Sequence, residues 1–313
     1  MLVVATFLAL MLASMTGLVA ADWEEEAGVS YARPAFAPRV LDRPAAAGAA
    51  PAQQRTAAAD LSDIDPLAPR YEEWRRRAGE LSAVVPPRNE TLPLGGDQWG
   101  RDVLKKTVKG SEVSIMVGLA AAMIATLIGT LLGALAGYWG GRLNDLMEWV
   151  YNVFTSIPYI LLILAFAAVL GRGVTTIILI LGLTGWTGVY RLVRAEYLKH
   201  REREYVLAAK AVGVSHVQRM FAHILPNTSH VVLVQFSLLV VAFIKTEVIL
   251  SFLGLGVPVD VVSWGTILAE SQDELVMGKW WQLTVTGTAM AMLVTAVSLL
   301  TDGMRDALDP KLR

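Results

Sequence analysis

Residues 114–138 read SIMVGLAAAMIATLIGTLLGALAGY, an unbroken run with no charged side chain. A helix needs roughly 20 predominantly apolar residues to cross the hydrocarbon core of a bilayer, so this run can span one. Small residues recur in it every four positions, at Ala121, Ala125, Gly129, Gly133 and Gly137, with Gly141 next in the series. On one helix they form a ridge without side-chain bulk, against which a second helix backbone can close. The expected fold is an all-α, tightly packed membrane bundle.

Five further stretches approach bilayer length: Leu2–Ala21, Val150–Leu170, Val174–Val193, Val231–Leu255 and Leu283–Leu300. About six transmembrane helices follow. Composition agrees, with 54% apolar residues, 18% charged residues and a mean hydropathy of +0.49. The net charge of -1 leaves no cationic excess to neutralise phosphates, so no nucleic-acid partner is expected. The absence of cysteine excludes disulfides, thiolate zinc sites and cysteine nucleophiles. There is no HExxH, GxSxG or Walker A sequence, so neither a zinc hydrolase nor an internal ATPase has support.

The chain divides into a first membrane helix at 1–21, a polar segment at 22–113, a transmembrane domain at 114–302 and a tail at 303–313. Leu2–Ala21 ends in Leu18-Val19-Ala20, a pattern compatible with signal-peptide cleavage. The apolar run is long for such a peptide and lacks a basic n-region, so a retained helix is expected. The short N-terminus has no basic residue, unusual for an inside end, which leaves an upstream start open. Within the polar segment, the Ala/Pro-rich tract from Arg33 to Ala59 has too few large apolar residues to bury a core. Tyr71–Leu81 has helical character, and Val84–Pro87 reads as extended.

Orientation follows from lysine and arginine in the short loops. Arg191 to Arg219 holds seven of them and the tail three, whereas the loops after the third and fifth spans hold one each. The N-terminus, the loop at about 196–227 and the C-terminus are therefore expected in the cytoplasm, and the polar segment outside. Its 13 basic residues run against this assignment, but long loops translocate largely regardless of charge.

The basic loop contains Glu204-Tyr205-Val206-Leu207-Ala208-Ala209-Lys210-Ala211-Val212-Gly213 and ends in His223-Ile224-Leu225-Pro226-Asn227. Ala208, Ala209 and Gly213 make a small-residue face that a partner surface can approach. Gly213 is a poor mid-helix residue and Pro226 cannot continue a helix, so a helix–turn–helix bounded by Pro226 is expected. A solvated connection between two spans remains the plain alternative.

This segment resembles the EAA loop of ABC-importer permeases, matching at Ala208, Ala209, Gly213, Leu225 and Pro226. Leu207 stands where the general pattern has Glu, and His223 where it has an apolar residue. Both departures resemble the dipeptide/oligopeptide/nickel branch, with its REYVxAAxxxG and HILPN forms. Pro93–Leu104 is similar to that branch's PLGTDxxGRDVL, with Gly96 in place of Thr, and Gly137–Gly141 to its GYxGG. Glu247 to Gly256 resembles ExxLSFLGLG, Ser263-Trp264-Gly265 resembles SWG, and Asp302–Arg313 resembles DGxRDALDPRLR. The first and last of these motifs mark the second, C-type, permease of a pair.

The resemblance implies a type I importer permease that forms half of a pore with a homologous second permease. It also implies two ATP-binding subunits that hydrolyse ATP in trans and an extracytoplasmic solute-binding protein, with no cofactor in this chain. Glu204, Tyr205, Ala208, Ala209, Gly213, His223, Leu225 and Pro226 would form the coupling loop to an ATPase. Peptides are the commonest solute of the branch, with nickel, opines and glycosylated compounds as alternatives.

Lys245 and Glu247 interrupt the fifth span, where charge is costly enough to suggest a role. Two residues apart, they point to different faces. A buried structural acceptor and a pore-lining group both remain open for Glu247. For Lys245, snorkelling or pairing with the partner permease is favoured over solute contact. His216, His223 and His230 recur every seven residues, but i and i+7 lie about 10 Å apart on a helix, too far to share one metal. A membrane enzyme and an anchored receptor are the rival classes, the second suggested by the long polar segment.

Overall fold

Asp102 starts the longest helix of the bundle. Its Oδ1 accepts from the Leu104 backbone N–H at 2.8 Å, satisfying a donor that the first turn leaves free. The resulting helix α2, Val103–Trp139, runs 37 residues and begins eleven residues before the apolar stretch Ser114–Tyr138. The computed structural model describes residues 22–37, 70–80 and 88–308. The stretch Leu2–Ala21, most of the Ala/Pro-rich tract, Val84–Pro87 and the final residues of the tail lie outside them.

Before α2 come strand β1 (Gly28–Pro34), helix α1 (Tyr71–Glu80) and strand β2 (Asn89–Leu92). The strands pair in parallel, Gly28 with Asn89 and Pro34 with Leu92, with an irregularity between. After α2 come α3 (Gly141–Ser156), α4 (Tyr159–Leu170), α5 (Val174–Thr184), α6 (Thr187–His200) and α7 (Glu204–Ala211). The chain continues as α8 (His216–Phe252), α9 (Trp264–Val276) and α10 (Trp281–Leu308).

Four helical stretches among the described residues are long and apolar enough to cross a membrane: Val103–Trp139, Val174–His200, His216–Phe252 and Trp281–Met304. The expected straight span Val150–Leu170 is replaced by α3 and α4, which meet at 82°. Pro158 is the cause. It has no N–H to give, and it holds Ile157 extended at φ -95°, ψ 130°.

The glycine ridge packs α2 on α6. A Cβ at Gly129 would stand 2.7 Å from the Trp186 carbonyl, one at Gly133 2.8 Å from that of Tyr190, and one at Gly137 2.6 Å from that of Arg194. Gly141 is not part of the ridge, because α2 ends at Trp139 and the backbone turns through Gly140 at φ 67°. Ile115 and Val117 of α2 pack in one buried cluster with Leu181, Phe243, Ile244 and Trp264.

The helix–turn–helix expectation fails at its second boundary. Pro226 does not end a helix but lies near the start of the long apolar part of α8, directly after a π-helical turn at Arg219–Ile224. There the Leu225 N–H reaches the Met220 carbonyl, five residues back. The wider turn absorbs the missing proline donor and its ring, so the helix passes through.

Candidate functional site

Two ends of the bundle carry polar chemistry. At one, the loop Pro93–Asp102 folds back under β1. Asp97 Oδ1 accepts from the backbone N–H groups of Trp99 and Arg101 at 2.9 and 3.0 Å, while Gly28 N–H donates to Gly100 and Gly96 N–H to Ala32. Gly96 fits closely, since a Cβ there would lie 3.1 Å from that of Ala32. That contact accounts for glycine where the resembling motif carries threonine. The Nζ of Lys106 donates to Asp97 Oδ2 at 2.7 Å and to Glu270 Oε2 at 2.5 Å, joining loop, α2 and α9. Neither the pair nor its partner on α9 stood out in the sequence, because Lys106 lies before the apolar run and Glu270 is 164 residues away.

Glu247 lies one layer deeper and is wholly buried. Its carboxylate accepts from Ser114 Oγ of α2 and Ser251 Oγ of α8, both at 2.7 Å. Ser114 Oγ in turn accepts from the Trp264 N–H at 3.2 Å, and Ser251 Oγ from the Val257 N–H at 3.2 Å. One side chain thus ties two spans to the start of α9 and the loop before it. Lys245, two residues earlier, is exposed on the opposite face.

At the other end stands α7. Glu204 is exposed in its first turn, where a negative charge complements the helix dipole. The Tyr205 hydroxyl pairs with His200 Nδ1 at 2.8 Å. Val206 and Ala209 turn inward, with Val206 packing with Met220 and Ile224 of the π-helical turn and Tyr197 of α6. The Tyr197 hydroxyl donates to the Met220 carbonyl at 3.1 Å, which steadies that turn. His223, Leu225 and Pro226 follow on α8, and Asn227 Nδ2 donates to the His223 carbonyl at 2.7 Å. The structure therefore brings both halves of the loop together.

The small-residue face is corrected in one respect. Ala208 is exposed, but Ala209 faces its own chain. Gly213 has a backbone reason to be glycine. At φ +80° it closes α7 in a Schellman turn, its N–H reaching the Lys210 carbonyl while that of Val214 reaches Ala209. What α7 and the following turn present outward is apolar: Leu207, Val212, Val217 and Phe221, with Val212 80% and Val217 61% exposed. These residues escaped the sequence reading, in which Leu207 registered only as a departure from a motif. Such an exposed apolar surface is of a kind that marks contact with another protein.

The family described as "Binding-protein-dependent transport system inner membrane component" matches residues 129–313. The dipeptide transport system permease protein DppC of Bacillus subtilis (strain 168) is 39% identical over 230 residues, 72% of either chain. The oligopeptide transport system permease OppC of the same organism is 36% identical, covering 74% of this chain and 76% of its own. OppC of Escherichia coli (strain K12) is 38% identical, over 70% and 72%. Among solved structures, an inward-facing MetNI methionine ABC transporter chain superposes with a TM-score of 0.54 at 17% identity, covering 65% of this chain and 96% of that one.

Proposed function

From the premise that the chain belongs to the family of binding-protein-dependent inner-membrane transport components, as a C-type permease of ABC peptide importers, we propose that α7 and the turn after it are its docking surface for an ATPase subunit. The observation that carries this reading is the exposed apolar set Leu207, Val212, Val217 and Phe221 on a helix braced from behind by Val206 and Ala209. An ATPase movement received there passes through Met220 and Ile224 into α8, and through Tyr197 into α6. Rigid-body shift of packed helices is an established way for such a signal to travel.

The α7 end, carrying Arg191 to Arg219, faces the cytoplasm in this reading, as do both chain termini. ATP and magnesium are bound by the ATPase subunits, and hydrolysis occurs there. A homologous second permease supplies the other half of the pore, and an extracytoplasmic binding protein delivers solute to the end bearing β1 and α9. Peptides are the proposed solute, in line with the names of the relatives. Glu247 acts as a structural acceptor within this subunit, and Lys245 faces lipid or the second permease.

A single cysteine tests sidedness and docking together, because the chain has none of its own. Val212→Cys should react with a membrane-impermeant maleimide in inverted vesicles but not in intact cells. Adding the ATPase subunits should protect it. Labelling in intact cells, or equal labelling with and without the ATPase, refutes the reading.

A further inference from the structure

A cleft of about 350 Å³ opens between the end of α2 and the inner side of α7. Tyr138, Trp139, Arg201, Lys210, His216 and Arg219 line it, together with Val206 and Leu207 of α7. Three of these side chains are permanent or near-permanent cations. One carboxylate, Glu202, faces them and sits 3.3 Å from the Arg201 guanidinium.

Arg219 is the unusual member. It is only 7% exposed, yet among the described residues no carboxylate lies within ion-pairing distance and its Nε has no partner. Among the described residues its side chain makes one hydrogen bond, from a terminal nitrogen to His216 Nδ1 at 3.2 Å, and the Tyr138 ring lies 5.8 Å from its centre. Tyr138 OH shares the same histidine nitrogen at 3.0 Å. A buried guanidinium left without an anion is expensive, and its planar fork suits phosphate oxygens.

The position of the cleft selects among anions. Tyr138 and Trp139 are the last two residues of a membrane-spanning helix, and Trp139 is half exposed. Aromatic side chains of this kind sit at headgroup level. Basic pockets at that depth attract anionic lipid headgroups, and half-exposed Trp139 at the rim offers contact to an acyl chain. We propose that this cleft binds the phosphate of an anionic phospholipid, with Arg219 as anchoring donor and Arg201 and Lys210 as flanking cations. Bound there, the lipid braces α7 from the side opposite Val212. The inference needs only that α2 spans the bilayer, so it stands or falls separately from the docking role of α7.

The test is native mass spectrometry of the full chain, purified with the subunits that accompany it and titrated with phosphatidylglycerol, phosphatidylcholine or inorganic phosphate. One phosphatidylglycerol should be retained in preference to phosphatidylcholine, and millimolar inorganic phosphate should not displace it. Lys210→Gln, at the solvent-accessible rim of the cleft, should weaken retention about fivefold, the effect of one basic residue near a charged membrane surface. Arg219→Gln should weaken it more. Equal retention of the two lipids, displacement by inorganic phosphate, or unchanged phosphatidylglycerol binding in Lys210→Gln overturns the proposal. If Arg219→Gln does not fold, the Lys210→Gln result decides alone. Preferential phosphatidylglycerol retention that arises only once the ATPase subunits are stripped away would overturn the proposal for the assembled transporter and show instead that a protein carboxylate fills the cleft.

Discussion

At the end of the bundle that carries β1 and α9, Lys106 is 2% exposed and clasped between Asp97 and Glu270; at the opposite end, Lys210 and Arg219 have no carboxylate partner among the described residues. The first end meets most of its polar groups within the chain, Glu274 being an exception taken up below. Gly96 N–H and Tyr31 N–H pair across to Ala32 and Asp97, the Trp281 indole N–H donates to the Gly96 carbonyl at 2.8 Å, and the Trp264 indole N–H to the Thr107 carbonyl at 2.9 Å. The second end leaves Leu207, Val212, Val217 and Phe221 exposed and the Arg219 Nε without a partner among the described residues. The contrast teaches where each end finds its stability: one within the chain, the other in what it meets.

The strongest way to break that contrast is to remove the cation from the closed end. Lys106→Met leaves Asp97 buried and uncompensated, and losing one partner of a buried ion pair costs about 3–5 kcal/mol. The purified protein should melt well below the parent, with the loss visible by size-exclusion after heating. A melting temperature within a degree or two of the parent would mean that Asp97 is satisfied by its backbone donors alone.

A smaller effect is expected at the open end, and it should appear in assembly rather than in folding. Ala208→Trp places bulk on the exposed side of α7, and overpacking a tight contact costs about 1–3 kcal/mol. Docking of an ATPase subunit should weaken roughly 5- to 150-fold by copurification or titration, while the melting temperature of the permease stays put. Gly213 is a poorer position for this test. At φ +80° any other residue adds about 1–2 kcal/mol of left-handed strain whether or not a partner is near.

The smallest effect sharpens the closed end. Glu274 of α9 is buried with one oxygen unpartnered, and burial pushes its carboxyl up to about 7, with Asp97 and Glu270 adding to the rise and Lys106 opposing it. A carboxyl raised on folding binds its proton more tightly in the folded state. The folded protein should therefore lose stability as pH climbs from about 4.5 to about 7. Glu274→Gln should flatten that part of the melting-versus-pH curve. An identical slope in the variant would place the titration elsewhere.

Much of the bundle was readable because it rests on local rules. The four-residue spacing of Gly129, Gly133 and Gly137 announces a close helix contact, and α6 supplies it. The break at Pro158 was equally readable, but an average over apolar residues hides it. Pro226 misled for the opposite reason: the rule that proline stops a helix assumes ordinary α geometry before it, and Arg219–Ile224 depart from that geometry. The inward turn of Val206 depends on Met220 and Ile224 taking their places on α8, which spacing within α7 does not specify. The clasp around Lys106 was beyond reach for a simpler reason. Its partners meet only once distant segments have folded, and each alone resembles a surface charge.

The π-helical turn also sets how the two halves of α8 face each other. Each residue of an α-helix advances the chain by about 100° about its axis, and the wider turn inserts an extra residue into that count. Deleting any one residue between Arg219 and Ile224 would restore the ordinary winding. Phe243 and Glu247 would keep nearly their present direction relative to Met220, because the six residues of the wider turn wind about as far as five of an α-helix, and the change would fall on the side chains inside the turn. Here a change of length is absorbed where it falls: the wider turn takes up one residue without turning the buried layer away from α7.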